Sequence, residues 1–405
     1  MMKYTYLDHN ATSSLLTEVK NAMVSLLGIT CNPSSIHSLG RGAKSIMEAS
    51  RNSILAALHA SADKYSLVFT SSGTEANNLF IHNFTNSHLF VSSIEHDSIM
   101  QPSLSTKQMI KIRVDHNGLL DLDHLEAALA QAGPGNKIVS VMYANNETGV
   151  IQNMKAIARI AHRYNALLHS DAVQAFGKID INLANLDIDL ITISSHKCGG
   201  PVGAAALLYK KSIVLHSQMM GGGQERGLRS GTENIAAIAG IGKVADLITV
   251  INDQYTNIRK LRDLLESKIL LIAPEVKIFS RSVQRLPNTT CFIMPRVASD
   301  VQLIHFDLSG FAVSAGAACS SGKVKTSSVL LAMDVGEDIA NTAIRVSLGI
   351  SNTVEEVNNF ITVWQAVYKR LSAAAKNDNF THHDFNQLDN INRSEERRVG
   401  KECRL

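Results

Sequence analysis

The sequence predicts an α/β protein whose sheet is mostly parallel and carries helices on both faces. Between about residues 40 and 250, short apolar runs typical of buried strands alternate with segments whose apolar residues recur at helical spacing. Parallel strands need crossover connections, which are usually helices, so this alternation favours a parallel sheet. The 405 residues also exceed the size at which one core usually stops growing, so a second unit is expected.

The expected elements follow in chain order. A helix over residues 41–60 places Ile54 and Leu58 on one apolar face. Six apolar runs predict buried strands, at 67–70, 89–92, 138–143, 167–170, 188–194 and 205–209. Helices are expected between them, including 122–132 and 155–166.

After about residue 250 the pattern changes to a long helix over 255–271 and shorter strands near 290–294 and 312–314. A final helix begins at Thr353, whose spacing from Glu356 is that of a capping box. We expect a large domain over 16–254 and a smaller α/β domain from 1–15 and 255–375. Residues 376–405 are predicted to be a disordered or foreign tail, because they lack an apolar period.

Composition excludes several function classes. The net charge of +3 argues against a nucleic-acid partner, and no apolar run reaches the roughly 20 residues that span a bilayer. The five cysteines are odd in number and widely spread, which argues against a disulfide framework or a zinc site. We therefore expect a cytoplasmic protein without a metal or membrane partner.

Lys197 is the first candidate for chemistry. It follows the buried strand 188–194 and lies between His196 and a turn rich in glycine and proline. Most lysines are only surface residues. This position, however, suits a lysine that loses its proton and forms an imine with a cofactor aldehyde.

Asp171 and Gln174 follow the preceding strand. A carboxylate at the carboxyl end of a strand can reach into a ligand crevice. If the cofactor is pyridoxal phosphate, Asp171 would keep the ring nitrogen protonated and Gln174 would donate to the ring oxygen. A structural or capping role for Asp171 remains the alternative.

Two further segments suggest anion binding. Gly73 and Thr74 open a predicted helix after a strand, where backbone N–H groups face an anion. The segment is neither GxGxxG nor a P-loop, and a plain strand–helix turn is the alternative. Residues 219–232 combine three consecutive glycines with two arginines and Thr232, which suits an anionic ligand or a partner subunit.

Cys319 lies among small residues over 314–322, which cannot pack a core. We expect this segment to be a mobile, exposed loop, and Cys319 to be a nucleophilic thiol. Cys198, beside the candidate lysine, is expected to serve packing instead.

Taken together, these motifs resemble the cysteine desulfurases, which are pyridoxal-phosphate enzymes of the class V aminotransferase group. The resemblance runs from about residue 6 to 371. It rests on YLDHNAT (6–12), NPSSIHSLGR (32–41), TSSGTEANN (70–78), SIEHDS (93–98), YANNETG (143–149), HSDAVQAFGK (169–178), SSHKCGGP (194–201), GGGQERGLRSGT (221–232), SAGAACSSG (314–322) and AIRVSLG (343–349). It implies the type I fold of pyridoxal-phosphate-dependent transferases, with a seven-stranded sheet in the large domain.

The resemblance also implies roles for residues of this sequence. Lys197 would form the imine with the cofactor, His96 would stack on its ring and transfer protons, and Cys319 would attack the substrate sulfur. The remaining cofactor and substrate contacts would come from Gly73, Thr74, Ser194 and His196 at the phosphate, Thr232 of the other subunit, Asp171 and Gln174 at the ring, and Asn146 and Arg345 at the substrate.

By the same resemblance, the reaction would convert L-cysteine to L-alanine and leave a persulfide on Cys319. The protein would be a homodimer that passes sulfur to an acceptor protein, normally for iron–sulfur cluster assembly and alternatively for tRNA thiolation. Two enzymes on this scaffold remain as alternatives, a selenocysteine lyase and an aminotransferase. A non-enzymatic scaffold for iron–sulfur assembly is the alternative of another class.

Overall fold

The computed structural model describes residues 4–106, 108–318 and 324–376. Cys319 and residues 377–405 lie outside the described residues, and so do the predictions made for them.

The bounds of the helices and strands are as follows. The helices are α1 (Thr17–Leu27), α2 (Ser38–Ala57), α3 (Gly73–Asn83), α4 (Asp97–Ser103), α5 (Leu122–Gln131), α6 (Met154–Arg163), α7 (Leu183–Leu186), α8 (Ile235–Asp246), α9 (Ile248–Ile272), α10 (Ser299–Leu308), α11 (Ser328–Ala332), α12 (Glu337–Ala340) and α13 (Val354–Lys376), with 3₁₀ turns at Ser195–Lys197 and Gln224–Gly227. The strands are β1 (Thr5–Tyr6), β2 (Tyr65–Thr70), β3 (His88–Ser92), β4 (Gln108–Ile112), β5 (Lys137–Ser140), β6 (Ala166–Asp171), β7 (Leu190–Ser194), β8 (Ala205–Lys210), β9 (Thr289–Ile293), β10 (Phe311–Ala312), β11 (Ser314–Ala315), β12 (Ala317–Ala318), β13 (Val324–Lys325) and β14 (Ala343–Ser347).

The main sheet has seven strands in the order β2-β8-β7-β6-β5-β3-β4. Strand β8 pairs antiparallel with both of its neighbours, and the other pairs are parallel. The prediction of a mostly parallel seven-stranded α/β sheet is therefore confirmed. Since β2 and β7 both run opposite to β8, the carboxyl ends of β2, β6 and β7 lie at the same edge of the sheet.

Strand β4 has no counterpart among the six predicted strands. It lies at the sheet edge beside β3, and its residues are exposed, half-buried or buried in a mixed order. The polar Gln108 and Lys111 interrupt the apolar pattern, as expected for an edge strand that is only partly covered. A search for continuous apolar runs misses such a strand.

Several predicted boundaries are wrong. The helix expected over 41–60 is Ser38–Ala57, and the long helix expected over 255–271 begins at Ile248. Two further differences have a clear physical setting. The strand expected over 138–143 ends at Ser140, although the backbone N–H groups of Val141 and Tyr143 still donate to residues of β6. The helix expected over 155–166 ends at Arg163. Asn165 then takes a positive φ of 54°, which ends the helix and lets Ala166 begin β6.

A second group of elements follows the main sheet. Strands β11, β14 and β9 form an antiparallel sheet, and β1 pairs in parallel with β10. The capping box of α13 is confirmed: Glu356 N donates to Thr353 Oγ1 at 3.2 Å, and Thr353 N donates to Glu356 Oε2 at 3.0 Å. The division at residues 15 and 254 stays a prediction.

Within the described ranges, no single helix has both the length and the apolar composition of a membrane span. Helices α8 and α9 meet those criteria only when taken together, and they are bent by 65° at their junction.

Candidate active site

A cavity of about 470 Å³ opens at the sheet edge where β2, β6 and β7 end. Ten predicted site residues line it: Gly73, Thr74, His96, Asn146, Asp171, Gln174, Ser194, His196, Lys197 and Arg345. Thr232 is exposed and is not among the lining residues, as expected if it serves the site of another subunit. The assignment of catalytic roles to these residues remains a prediction.

Lys197 ends the 3₁₀ turn that follows β7. Its Nζ donates to the backbone oxygens of Asn10 and Ala11, each at 2.7 Å. Burial, followed by the positive charge of Arg345, lowers the pKa of Lys197 to about 8. A substantial fraction of this amine is therefore neutral near physiological pH, as a nucleophilic lysine requires.

Asp171 is the last residue of β6 and is 5% exposed. Its Oδ2 accepts from Asn77 Nδ2 at 2.8 Å, and its Oδ1 accepts from the backbone N–H of Val173 at 2.9 Å. Asn77 itself is fully buried. The carboxylate is thus held in one orientation at the cavity wall, where it can pair with a cationic ring nitrogen.

Asn77 was not singled out from the sequence. It lies one helical turn after Gly73 on α3, so both residues present the same face of the helix to the cavity. The four-residue spacing within TSSGTEANN is the signal that could have identified it.

The amino end of α3 lies at the cavity wall and is suited to bind an anion. The Oγ of Ser72 accepts from Glu75 N, which leaves the first backbone N–H groups of the helix free to face a ligand. A Cβ atom at Gly73 would lie 3.0 Å from Val173 Cγ2, so a larger residue would crowd this wall. Burial, followed by the charge of Lys197, lowers the pKa of His196 to about 4, so this ring is neutral near pH 7.

His96 precedes α4 and caps it. Its Nδ1 accepts from the backbone N–H of Ser98 at 3.1 Å, and the Ser98 hydroxyl lies 2.9 Å from the same nitrogen. Because Nδ1 acts as an acceptor, a neutral His96 ring carries its proton on Nε2. The imidazole is therefore fixed in orientation and tautomer at the cavity wall.

Arg345 lies on β14 and contacts two residues of other segments. Its Nη1 donates to the backbone oxygen of Asn146 at 3.0 Å, and its Nη2 donates to Asp8 Oδ1 at 2.6 Å. Its Nε is buried without a partner among the described residues. Such a partly satisfied guanidinium is suited to bind a carboxylate through a fork of N–H groups.

Two buried acids, Glu95 and Glu147, also line the cavity. Burial raises the pKa of Glu95 well above its ordinary value and also raises the pKa of Glu147, whose Oε2 accepts from Ser327 Oγ at 2.5 Å. Neither was singled out from the sequence, although each stands next to a predicted residue, His96 or Asn146. Their burial favours the neutral form, which limits negative charge in the cavity.

Three other residues noted in the sequence, Arg226, Arg229 and Cys198, are not among those that line the cavity. Arg229 pairs with Glu75 at 2.9 Å, and Arg226 donates to Ser66 Oγ at 3.0 Å. Cys198 is buried, and burial raises the pKa of its thiol to about 12. The packing role expected for Cys198 agrees with this environment, which disfavours a reactive thiolate.

Comparisons with known proteins show the family to which the chain belongs. The family model of the class-V aminotransferases matches residues 5–360. The chain is 37% identical to the cysteine desulfurase of Cereibacter sphaeroides, covering 92% of this chain and 97% of the relative. It is 35% identical to the cysteine desulfurase IscS of Dictyoglomus turgidum, covering 92% and 96%.

Solved structures show the same relationship. The X-ray structure of a NifS-like protein from Rickettsia africae superposes with a TM-score of 0.86 and is 43% identical, covering 90% of this chain and 99% of that one. The fold and site therefore define a member of the aminotransferase class-V family, and within that family the chain belongs to the cysteine desulfurases.

Proposed function

We propose that this protein is a pyridoxal-phosphate-dependent cysteine desulfurase that converts L-cysteine to L-alanine and collects the sulfur as a persulfide on Cys319. The observation that carries this proposal is the joint placement of Lys197, Asp171 and Arg345 on one cavity, together with the lowered pKa of Lys197. Each supplies a different requirement: an amine nucleophile, an acceptor for a ring N–H and a fork for a carboxylate.

The residues present fit pyridoxal phosphate. The amino end of α3 and the neutral His196 offer donors for its phosphate, while Asp171 and Gln174 offer partners for its ring. The cavity of about 470 Å³ is large enough for a cofactor and a small amino acid. When bound, this cofactor supplies an aldehyde for the amine and a ring that accepts electrons from the substrate.

The protein's own groups then bind and orient the substrate. Arg345 and Asn146 would hold the carboxylate of L-cysteine, and the Lys197 amine would take the proton from its α-carbon. His96 lines the cavity, and because Ser98 engages its Nδ1, Nε2 is the nitrogen left to exchange protons with substrate or thiol.

Cys319 accepts the sulfur in this proposal. Ser314 and Gly316 line the cavity, and Cys319 follows Gly316 by three positions in the sequence. Its thiolate forms the new S–S bond while the C–S bond of the substrate breaks. L-Cysteine and one thiol thereby give L-alanine and one persulfide, with no external oxidant or reductant.

We further propose a cytoplasmic homodimer in which Thr232 completes the site of the partner subunit. Thr232 is exposed, which leaves it available for that contact. The persulfide would pass to an acceptor protein for iron–sulfur cluster assembly.

The test compares wild type, Cys319→Ala and Cys198→Ala, each loaded with pyridoxal phosphate and given L-cysteine and dithiothreitol. Wild type and Cys198→Ala are expected to release alanine and sulfide, because the Cys198 thiol is buried and protonated. Cys319→Ala is expected to bind L-cysteine, as seen by a change in the cofactor spectrum, and to release almost no sulfide. Equal sulfide release by Cys319→Ala and wild type would contradict the assignment, and preference for selenocysteine would favour a selenocysteine lyase.

A further inference from the structure

A second lysine is buried behind the cavity wall. Lys178 is 2% exposed, and its Nζ donates to Gln174 Oε1 at 2.6 Å and to Asn10 Oδ1 at 2.8 Å. Both acceptors are uncharged amides, and among the described residues no carboxylate forms an ion pair with Lys178. Burying an amine without a counter-charge is unfavourable, so its position calls for a role other than core packing.

The two acceptors lead directly to the cavity. Gln174 lines it, and Gln174 Nε2 donates to the backbone oxygen of Asn10 at 2.9 Å. The same Asn10 oxygen accepts from Lys197 Nζ at 2.7 Å. Lys178 therefore contacts Gln174 directly, and it is linked to Lys197 through Asn10.

An amine can determine the orientation of an amide. A side-chain amide has one accepting end and one donating end, and the two have nearly the same shape. Burial and then the charge of Lys197 lower the pKa of Lys178 well below its ordinary value. Even a neutral amine keeps two N–H groups, which match the two oxygens of Gln174 and Asn10. The opposite orientation of Gln174 would place its oxygen against the Asn10 backbone oxygen and lose that hydrogen bond, and it would turn NH₂ toward the N–H groups of Lys178.

Asn10 is held from a second direction as well. Its Nδ2 donates to Thr289 Oγ1 at 2.8 Å, and its Oδ1 also accepts from Asn288 Nδ2 at 3.1 Å. With the Asn146 backbone oxygen, which accepts from Asn10 Nδ2 at 3.1 Å, the Asn10 side chain has three other partners when Lys178 is removed. Among the described residues, the Oε1 of Gln174 accepts from Lys178 alone. Gln174 is the residue that depends most on this lysine.

We propose that Lys178 is a positioning residue that fixes the amide of Gln174, so that its N–H groups face Asn10 and the cofactor ring. This inference rests on the proposed function, since it takes Gln174 to contact the bound cofactor. Lys178 does not touch the cavity itself and acts through Gln174.

The test is a double-mutant cycle read by binding rather than by turnover. The variants are Lys178→Met, Gln174→Ala and the double variant, with Lys155→Met on the exposed face of α6 as the matched control. For each, the affinity for pyridoxal phosphate and the absorption maximum of the bound cofactor are measured, and the melting temperature without cofactor reports folding. If Lys178→Met does not fold, Lys178→Leu, which also lacks an N–H donor, replaces it in the same cycle.

Lys178→Met is expected to weaken cofactor binding about tenfold, equivalent to about 1.4 kcal/mol, and to shift the absorption maximum. In the Gln174→Ala background the same change should have almost no further effect, because the residue it positions is gone. Unchanged affinity and spectrum in Lys178→Met, or full additivity in the double variant, would overturn the proposal. Turnover of L-cysteine by wild type is measured separately. If the desulfurase assignment were wrong, the binding measurements would still test whether Lys178 acts through Gln174.

Discussion

Asp8 and Arg345 are 337 positions apart in the sequence, yet Asp8 Oδ1 accepts from Arg345 Nη2 at 2.6 Å inside the cavity wall. The guanidinium proposed to hold the substrate carboxylate is therefore already oriented before substrate arrives. Its Nη1 is engaged by Asn146, so both ends of the fork have a fixed direction. Preorganisation of this kind reduces the entropy lost when a carboxylate binds.

Arg345→Lys should separate binding from chemistry. Lysine keeps the positive charge but presents no planar fork, so it cannot contact Asp8, Asn146 and a substrate carboxylate in the same geometry. We expect KM for L-cysteine to rise about tenfold, with a smaller change in kcat. The measurement is steady-state alanine release, and Arg163→Lys, at an exposed pair with Glu126, is the control. A drop in kcat at unchanged KM would place Arg345 outside substrate binding.

The lowered pKa of Lys197 can be measured without cofactor or substrate. Competitive acetylation of the cofactor-free protein, followed by peptide mass spectrometry, reports the neutral fraction of each amine against pH. We expect labelling of Lys197 to rise with a midpoint near pH 8, because burial and Arg345 disfavour its charged form. The exposed Lys155 serves as the internal reference. A midpoint at the ordinary lysine value, about 10.4, would contradict the environment described here.

His162 links stability to pH away from the cavity. Its Nε2 lies 2.8 Å from Asp189 Oδ2, and the hydrogen bond to Asp189 raises its pKa. A group whose pKa is raised by folding contributes its full stabilisation at pH values below its unfolded pKa, about 6.5. This contribution is lost as the pH rises through its folded pKa. His162→Gln should therefore lower the free energy of unfolding by up to about 1 kcal/mol near pH 6, and by less near pH 9.

Urea unfolding of wild type and His162→Gln at both pH values provides this comparison. His59→Gln is the control, because the His59 ring is 52% exposed and its partner Asp180 is 69% exposed. A larger effect of His162→Gln at the higher pH would have the wrong sign for a raised pKa.

The strands that the sequence predicts best are those buried on both faces. The run Leu190–Ser194 is mostly apolar and is buried along its whole length, so its burial and position can be inferred directly. Strand β4 was missed because only part of it is covered. The helix end at Arg163 was misplaced because it depends on the conformation of Asn165, which the apolar period does not report.

Several of the predicted site residues share one property, which is position at the end of a strand or the start of a helix. Asp171, Lys197 and Gly73 are of this kind, and a parallel sheet brings such ends to one edge. Asn10 and Lys178 were missed because their importance arises from contacts between remote segments. Hydrogen bonds across 168 positions, as between these two residues, leave no local pattern in the sequence.

Strand β1 affects when the surroundings of Lys197 form during synthesis of the chain. Thr5 pairs with Phe311, and the segment after β1 supplies the Asn10 and Ala11 oxygens that hold Lys197. At about 5 to 20 residues per second, the ribosome needs roughly 15 to 60 s to progress from one strand to the other. Lys197 therefore leaves the ribosome well before β1 can pair with β10 and complete its surroundings. The hydrogen-bonded surroundings of Lys197 are thus completed only after residues 311–312 have been made, when β1 meets β10.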